Sequence, residues 1–408
     1  MRGIAFARTS REHGPSLDSP ERLAFVTSTP LSVAGGSGTY VGIRQLARSL
    51  EDRGIRVEVH APTFWLPSFT VKRLLFNILV APRLRRATCD WVVGFDLDGF
   101  HYGRTKVAPY VASIKGVIAD ELQNERGVVR AMLGIQAAFE RLAVRRADVV
   151  VATSLYSRDR IVQAYGISPA KVRIVPESID LLTWAAGEVA PVEMAPAPPA
   201  ILTVAHMYPR KNLGALLEAY AHLQDAGIPF QGWIVGEGPC RTAWERLRDT
   251  LGLAERVKFF GTIPRRELED RYRRAAIFCL PSRQEGFGIV FLEAMACGTP
   301  IVAGRRAAVP ETVIDGETGL LVDPDDPAAL AEALAKLLQD SELRRVMGEA
   351  GCRRVERYAA PRVAAAFVST VRATLKDRSE GIGSQPEPLD SPAREGRPAG
   401  IAGTGGRR

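Results

Sequence analysis

Two carboxylates eight positions apart, Glu285 and Glu293, stand in the stretch Arg283-Gln-Glu-Gly-Phe-Gly-Ile-Val-Phe-Leu-Glu293. Gly286 and Gly288 permit a tight turn with close backbone approach, and the apolar run from Ile289 predicts a helix whose first N–H groups lack partners of their own. A helix mouth of that kind draws phosphate. Carboxylates are acceptors only and suit hydroxyls, which donate, so Glu285 in the loop can reach a sugar while Glu293, a little over one turn into the helix, takes a ribose. The competing interpretation makes Glu293 an exposed helix residue and Glu285 a charge favoured by the helix dipole. Upstream, Arg210 and Lys211 are adjacent cations in Val204-Ala-His-Met-Tyr-Pro-Arg-Lys-Asn212, where a strand closes and a helix opens. Cations at a helix start oppose its dipole, which disfavours chance placement. A fixed pair of cations stabilises the charge that develops on a departing diphosphate without needing a metal.

Weaker signals surround these. Gly236-Glu-Gly238-Pro and Phe260-Gly-Thr-Ile263-Pro264 each follow a strand candidate, but Gly and Pro end strands in many folds. Gly35-Gly36-Ser37-Gly38 lies between a strand and a helix without the GxGxxG fingerprint or a Walker lysine. Asp96-Leu-Asp98-Gly-Phe-His101 offers two acids and a histidine for acceptor hydroxyls, or else a turn-forming acidic cluster.

Short apolar runs alternating with longer amphipathic stretches position these residues, the pattern of parallel sheets flanked by helices and hence an α/β fold. Strands are expected at Leu23–Thr27, Val57–His60, Trp91–Phe95, Ala108–Ile114, Val149–Thr153 and Val172–Val175. A second series runs Ile201–Ala205, Gln231–Val235, Val257–Phe260, Ile277–Leu280, Pro300–Ala303 and Gly319–Val322. Prolines 191, 196, 198 and 199 among small residues predict a linker over 184–200. The expected units are a disordered extension 1–22, a first Rossmann-like domain 23–183, a second 201–360, a helix over 361–376 that returns to the first, and a disordered tail 377–408. Two doubly wound domains put the carboxyl ends of their strands, and any ligand, at the crevice between them.

Composition sets outer bounds. At 408 residues with 46% apolar and 25% charged residues, the chain can fill two cores. No apolar run is long enough to span a bilayer and no signal peptide is recognisable, and five scattered cysteines point to a reducing cytoplasm without a metal site. The net charge of +8 is uneven, with 25 Lys and Arg against 18 Asp and Glu in residues 1–190 and 29 against 28 in the rest. The first half should therefore meet something anionic. A nucleic-acid partner is not expected, since no tight basic stripe carries interleaved aromatics. Phe64-Trp65 through Leu79, running into Arg83, Arg85 and Arg86, reads either as a segment that lies on an anionic membrane surface or as a helix packed on its own sheet.

The Glu-x7-Glu element, followed by Gly298-Thr-Pro-Ile-Val-Ala303, resembles the signature of the family-four retaining glycosyltransferases with the GT-B fold. The resemblance spans about Leu23 to Lys376, more strongly in the second half. It implies transfer of a hexose from a nucleotide-sugar donor bound by the second domain to an acceptor bound by the first, a glycan, lipid or small molecule. Retention would follow from a front-face displacement, and no cofactor or metal is implied. On this basis Arg210, Lys211 and Glu285 act at the reacting groups, with Glu293 on the ribose. Gly36, Gly236, Gly238, Ile263, Phe287, Gly288, Ile289 and Val290 line the donor pocket. Many relatives carry a histidine near the donor sugar where this chain has Lys115, so Lys115, with Asp96, Asp98 and His101, is a candidate for sugar or acceptor contacts. A nucleotide-sugar epimerase of the same fold and a non-catalytic sugar-nucleotide-binding protein are the alternatives.

Overall fold

The computed structural model describes residues 21–29, 38–185 and 197–380. Among the described residues twelve strands form two parallel sheets. The first contains β1 (Arg22–Val26), β2 (Arg56–His60), β3 (Trp91–Phe95), β4 (Tyr110–Ile114), β5 (Val149–Ala152) and β6 (Val172–Ile174), in the spatial order β2-β1-β3-β4-β5-β6. The second contains β7 (Ala200–Val204), β8 (Gln231–Val235), β9 (Val257–Gly261), β10 (Ile277–Leu280), β11 (Ile301–Gly304) and β12 (Gly319–Val322), in the order β12-β11-β10-β7-β8-β9. Every strand falls where the apolar runs place it. The central strands β3, β4, β5 and β10 are buried throughout, which is why they read as continuous apolar runs rather than alternating ones.

Side chains alternate between the faces of the first sheet. Ala24, Val26, Val92, Ala112 and Val150 enter one apolar cluster; Leu23, Phe25, Val93, Val111, Val149 and Val151 enter the other. The second cluster is closed by helix Gly38–Glu51, through Ile43, Leu46 and Leu50, and by the last helix, Ala360–Glu380, through Val363, Phe367 and Val371. The last helix thus belongs to the first sheet although the second sheet separates them in sequence. The outgoing and returning chain segments run side by side, Ile179 N donating to Tyr358 O at 2.9 Å and Ala360 N to Ile179 O at 2.9 Å.

Some boundaries differ from the sequence expectations. Trp184, expected in the linker, lies in a short helix (Leu181–Ala185) and is buried edge-on against Tyr272, ring centroids 5.4 Å apart. An apolar anchor at that point draws the crossing chain into the second core. The last helix runs to Glu380, four residues into the expected disordered tail. The remainder of that tail, the extension 1–20, residues 186–196 of the linker and the Gly-rich loop with Gly36 lie outside the described residues.

Candidate active site

In the second sheet the chain order reverses between β7 and β10, the switch point at which open α/β sheets form a crevice beyond their strand ends. The loops leaving these two strands carry the strongest sequence candidates. After β7 the chain makes a 3-10 turn, Pro209–Lys211, stopped by Asn212 in the left-handed region (φ 55°), before helix Leu213–Asp225 begins. After β10 the loop ends at Gly288 (φ 89°), where a Cβ would lie 2.5 Å from the Phe291 ring; glycine is required there to start helix Ile289–Ala296.

Across the switch point Lys211 Nζ lies 2.6 Å from Glu285 Oε1, and Ser282 Oγ donates to the same oxygen at 2.8 Å. Glu285 is 8% exposed. Burial alone would raise its carboxyl, but the charge and hydrogen bond of Lys211, with help from Arg210 and Ser282, hold it below the usual carboxylate range. Burial likewise lowers Lys211, opposed by Glu285. Glu293 is equally buried, so it is not the surface residue of the competing interpretation. It has no cation in contact among the described residues, and its Oε2 accepts from the Tyr272 hydroxyl at 2.9 Å. Burial pushes its carboxyl up to about 7, only partly opposed by Tyr272 and Arg265. The site therefore holds one carboxylate fixed as an anion and a second poised near neutrality.

The glycine loops pack the strand ends together. At Gly236 (φ 125°) a Cβ would stand 2.0 Å from the Ala205 carbonyl oxygen, and at Gly238 2.6 Å from Met207 N. Ile263, Ile289 and Val290 are partly buried beside the cleft loops. The Phe287 side chain is turned into the core against Tyr358, centroids 5.6 Å apart, so it offers the pocket no side chain.

The first-domain candidates are corrected by the geometry. Asp98 is fully buried, and its oxygens accept from Ser28 N (2.6 Å), Ser28 Oγ (2.7 Å) and Asn77 Nδ2 (2.7 Å), with Arg73 at 3.6 Å. Asp96, held in the left-handed region at φ 56°, accepts from Lys115 N at 2.8 Å and faces Arg73 at 3.4 Å. The pair is therefore the turn-forming cluster that ties β1, β3 and β4 together, with little capacity left for acceptor hydroxyls. His101 sits among Arg85, Arg104 and Arg146, at the C-terminal ends of helices Phe69–Arg86 and Gly127–Arg146. Those helix ends lead into the starts of β3 and β5, which puts His101 at the opposite end of the sheet from the cleft. The Lys115 ammonium is buried on Glu177 at 2.8 Å, and its carbonyl oxygen would lie 3.0 Å from a Cβ on Gly286.

Several residues at the cleft escaped the sequence. The Gly286 carbonyl accepts from the hydroxyls of Thr153 (3.0 Å), Ser154 (2.8 Å) and Ser157 (3.0 Å) of the first domain. Glu311 of the second domain accepts from Leu155 N and Tyr156 N at 2.7 and 2.8 Å, at the start of helix Leu155–Tyr165. His206, exposed just beyond β7, contacts the Glu237 carbonyl through Nδ1 and packs on Tyr208. Arg210 reaches Glu121 across the cleft at 3.2 Å. A Thr-Ser pair at a strand end before a helix was the one signal available for the hydroxyl cluster.

Residues 190–354 match the family model described as glycosyl transferases group 1, and residues 34–181 match glycosyltransferase family 4. The chain is 33% identical over 319 residues to a GDP-mannose-dependent alpha-(1-6)-phosphatidylinositol monomannoside mannosyltransferase of Mycolicibacterium smegmatis, covering 73% of this chain and 78% of that one. It is 31% identical over 371 residues to a D-inositol 3-phosphate glycosyltransferase of Acidothermus cellulolyticus, covering 78% and 83%. In fold it is similar to sucrose-phosphate synthase from Thermosynechococcus elongatus, with a TM-score of 0.72 at 22% identity over 87% of this chain and 99% of that one. With two Rossmann-like halves meeting at a cleft and both family models matched in register with them, the chain belongs to the family-four, group 1 glycosyltransferases of the GT-B fold.

Proposed function

We propose that the protein transfers a hexose from a nucleoside-diphosphate sugar to an acceptor hydroxyl with retention at the anomeric carbon and without a metal. The observation that carries this is the Lys211–Glu285 pair at the switch point, with Glu293 one helix turn behind it. The diphosphate is held by Lys211 and Arg210, the donor sugar by Glu285 and the ribose by Glu293. The bond from the anomeric carbon to the diphosphate oxygen breaks as the acceptor oxygen bonds on the same face, and the acceptor proton passes to the departing diphosphate. Glu285, kept ionised by Lys211, is a weak base, which favours that proton route. Cations already in place stabilise the leaving charge without reorganisation.

The relatives' acceptors are named as phosphatidylinositol monomannoside and D-inositol 3-phosphate, and one donor as GDP-mannose. A phosphate-bearing inositol and GDP-mannose are accordingly the first pair to assay, alongside UDP- and ADP-hexoses. Transfer insensitive to EDTA, with an α-configured product by NMR from an α-configured donor, is expected. An inverted product or strict dependence on a divalent cation would refute the mechanism.

A second observation bears on where the acceptor is met. Helix Phe69–Arg86 exposes Val71, Leu75, Ile78 and Leu79 on one stripe, preceded by Trp65, which is 79% exposed. It is joined through the Gln136–Thr70 and Arg73–Gln136 hydrogen bonds to helix Gly127–Arg146, which exposes Val128, Val129 and Ile135. Arg83, Arg86, Arg130 and Arg141 are exposed around these residues. Apolar side chains ringed by cations fit the surface of an anionic bilayer, each arginine adding about 1 kcal/mol near the surface. Among the described residues no helix is long and apolar enough to cross a membrane. The protein should float with phosphatidylglycerol vesicles and not with phosphatidylcholine alone, and Ile78→Glu should abolish flotation; equal behaviour in both vesicles would contradict this.

A further inference from the structure

The donor loops are met from the first domain by two acidic side chains of one short helix, Ile118–Glu121. The helix is fixed from below: the enclosed Glu140 carboxylate accepts from Ile118 N at 2.9 Å and from the Tyr165 hydroxyl. Asp120 is anchored within its own domain by Tyr156 Oη (2.7 Å) and Arg160 Nε (2.8 Å), and it also accepts from Gln284 Nε2 at 3.1 Å. Glu121 differs in that its cation comes from the other domain. Arg210 Nη2 lies 3.2 Å from Glu121 Oε1, a pair only partly shielded from solvent. The carboxylate folds back over Gly116, where a Cβ would lie 2.8 Å from Oε1, so the lack of a side chain at 116 makes room for it. Arg210 Nε is buried without a hydrogen-bond partner, which leaves the guanidinium incompletely satisfied by this carboxylate. The adjacent Lys211 is occupied by Glu285.

We propose that Glu121 stands in for the donor diphosphate on Arg210 in the nucleotide-free protein and is displaced when the donor arrives, so that a first-domain carboxylate sets donor affinity. This rests on the assignment of Arg210 to the diphosphate. A diphosphate brings more negative charge and more acceptor oxygens than one carboxylate and matches the unfilled Nε–H, so it wins the exchange. Its net affinity is reduced by the ion pair it breaks. Glu121 acts through Arg210 and is a positioning residue.

Calorimetric titration of the full chain with GDP, UDP and the corresponding nucleosides tests this. For a partly exposed ion pair, Glu121→Gln should tighten binding of the preferred nucleoside diphosphate by about two- to fivefold and leave the nucleoside unchanged. In an Arg210→Gln background the same substitution should have no effect, since the competition is gone. Glu121→Ser carries the same expectations if the glutamine variant is insoluble. Unchanged or weaker diphosphate binding by Glu121→Gln, or an equal gain in the Arg210→Gln background, would overturn the inference while leaving the donor site standing. Failure of the unaltered protein to bind GDP, UDP or, titrated in the same way, ADP would overturn the donor site and the inference together.

Discussion

Glu293→Gln should make the second domain more stable at alkaline pH while weakening donor binding. Glu293 is buried with a single hydrogen bond, from Tyr272, and no contacting cation among the described residues, and its carboxyl is pushed up to about 7 from an ordinary value of 4.5. Below pH 4.5 the carboxyl is protonated in both folded and unfolded chains, and the substitution changes little. As pH rises from there towards 7, the unfolded chain ionises while the folded one holds its proton, so stability is progressively lost. Above 7 the loss is complete and amounts to on the order of 3 kcal/mol, the free energy of two to three pKa units. Glutamine keeps the shape and still accepts from Tyr272. Urea unfolding followed by tryptophan fluorescence, at intervals from pH 5 to 8.5, should therefore show the variant gaining on the unaltered protein as pH rises. The more stable variant should bind nucleotide less well, because an ionised carboxylate accepts ribose hydroxyls more strongly than an amide does. A difference in stability that stays flat across this range, or a variant that is less stable at pH 8.5, would refute the account of Glu293 as an uncompensated buried acid.

Three other substitutions separate chemistry from scaffolding. Lys211→Ala should lower transfer by about two to three orders of magnitude, the usual effect of losing one preorganised charge at a leaving group, with kcat falling more than KM rises. Gly236→Ala should destabilise the second domain severely, visible as insoluble protein or a collapsed melting transition, since the added Cβ meets the Ala205 carbonyl at 2.0 Å. Asp98→Ala leaves Arg73 short of a counter-charge and strands the Ser28 and Asn77 donors, so it should cost about 3–5 kcal/mol of stability; a soluble variant with only acceptor KM altered would restore Asp98 to the acceptor site.

The sheets were legible because buried parallel strands must be apolar: Trp91–Phe95, Gln231–Val235 and Ile277–Leu280 were bounded correctly by hydrophobic runs and the polar or glycine residues that end them. The placing of Lys211 and Glu285 on the loops that leave β7 and β10, and of Glu293 on the helix that follows, was legible because the loop geometry is encoded locally, by Gly288 before the helix and by spacing along one chain segment. The first-domain candidates were not. Whether Asp98 faces a cleft or a core depends on Ser28, Asn77 and Arg73, which approach it only after the sheet forms. Lys115 reads as a candidate for sugar or acceptor contacts because nothing near it in sequence announces Glu177. The contacts between domains, such as Glu311 on Leu155 and Glu121 on Arg210, join residues far apart in the chain and carry no periodic signature.

The most direct test is a crystal structure with a nucleoside diphosphate bound. The phosphate oxygens should lie within hydrogen-bond reach of Lys211, between the loops that leave β7 and β10, with the ribose hydroxyls on the Glu293 carboxylate. Phosphates bound at another strand end, or a ribose directed away from Glu293, would contradict the assignment of the donor to this crevice.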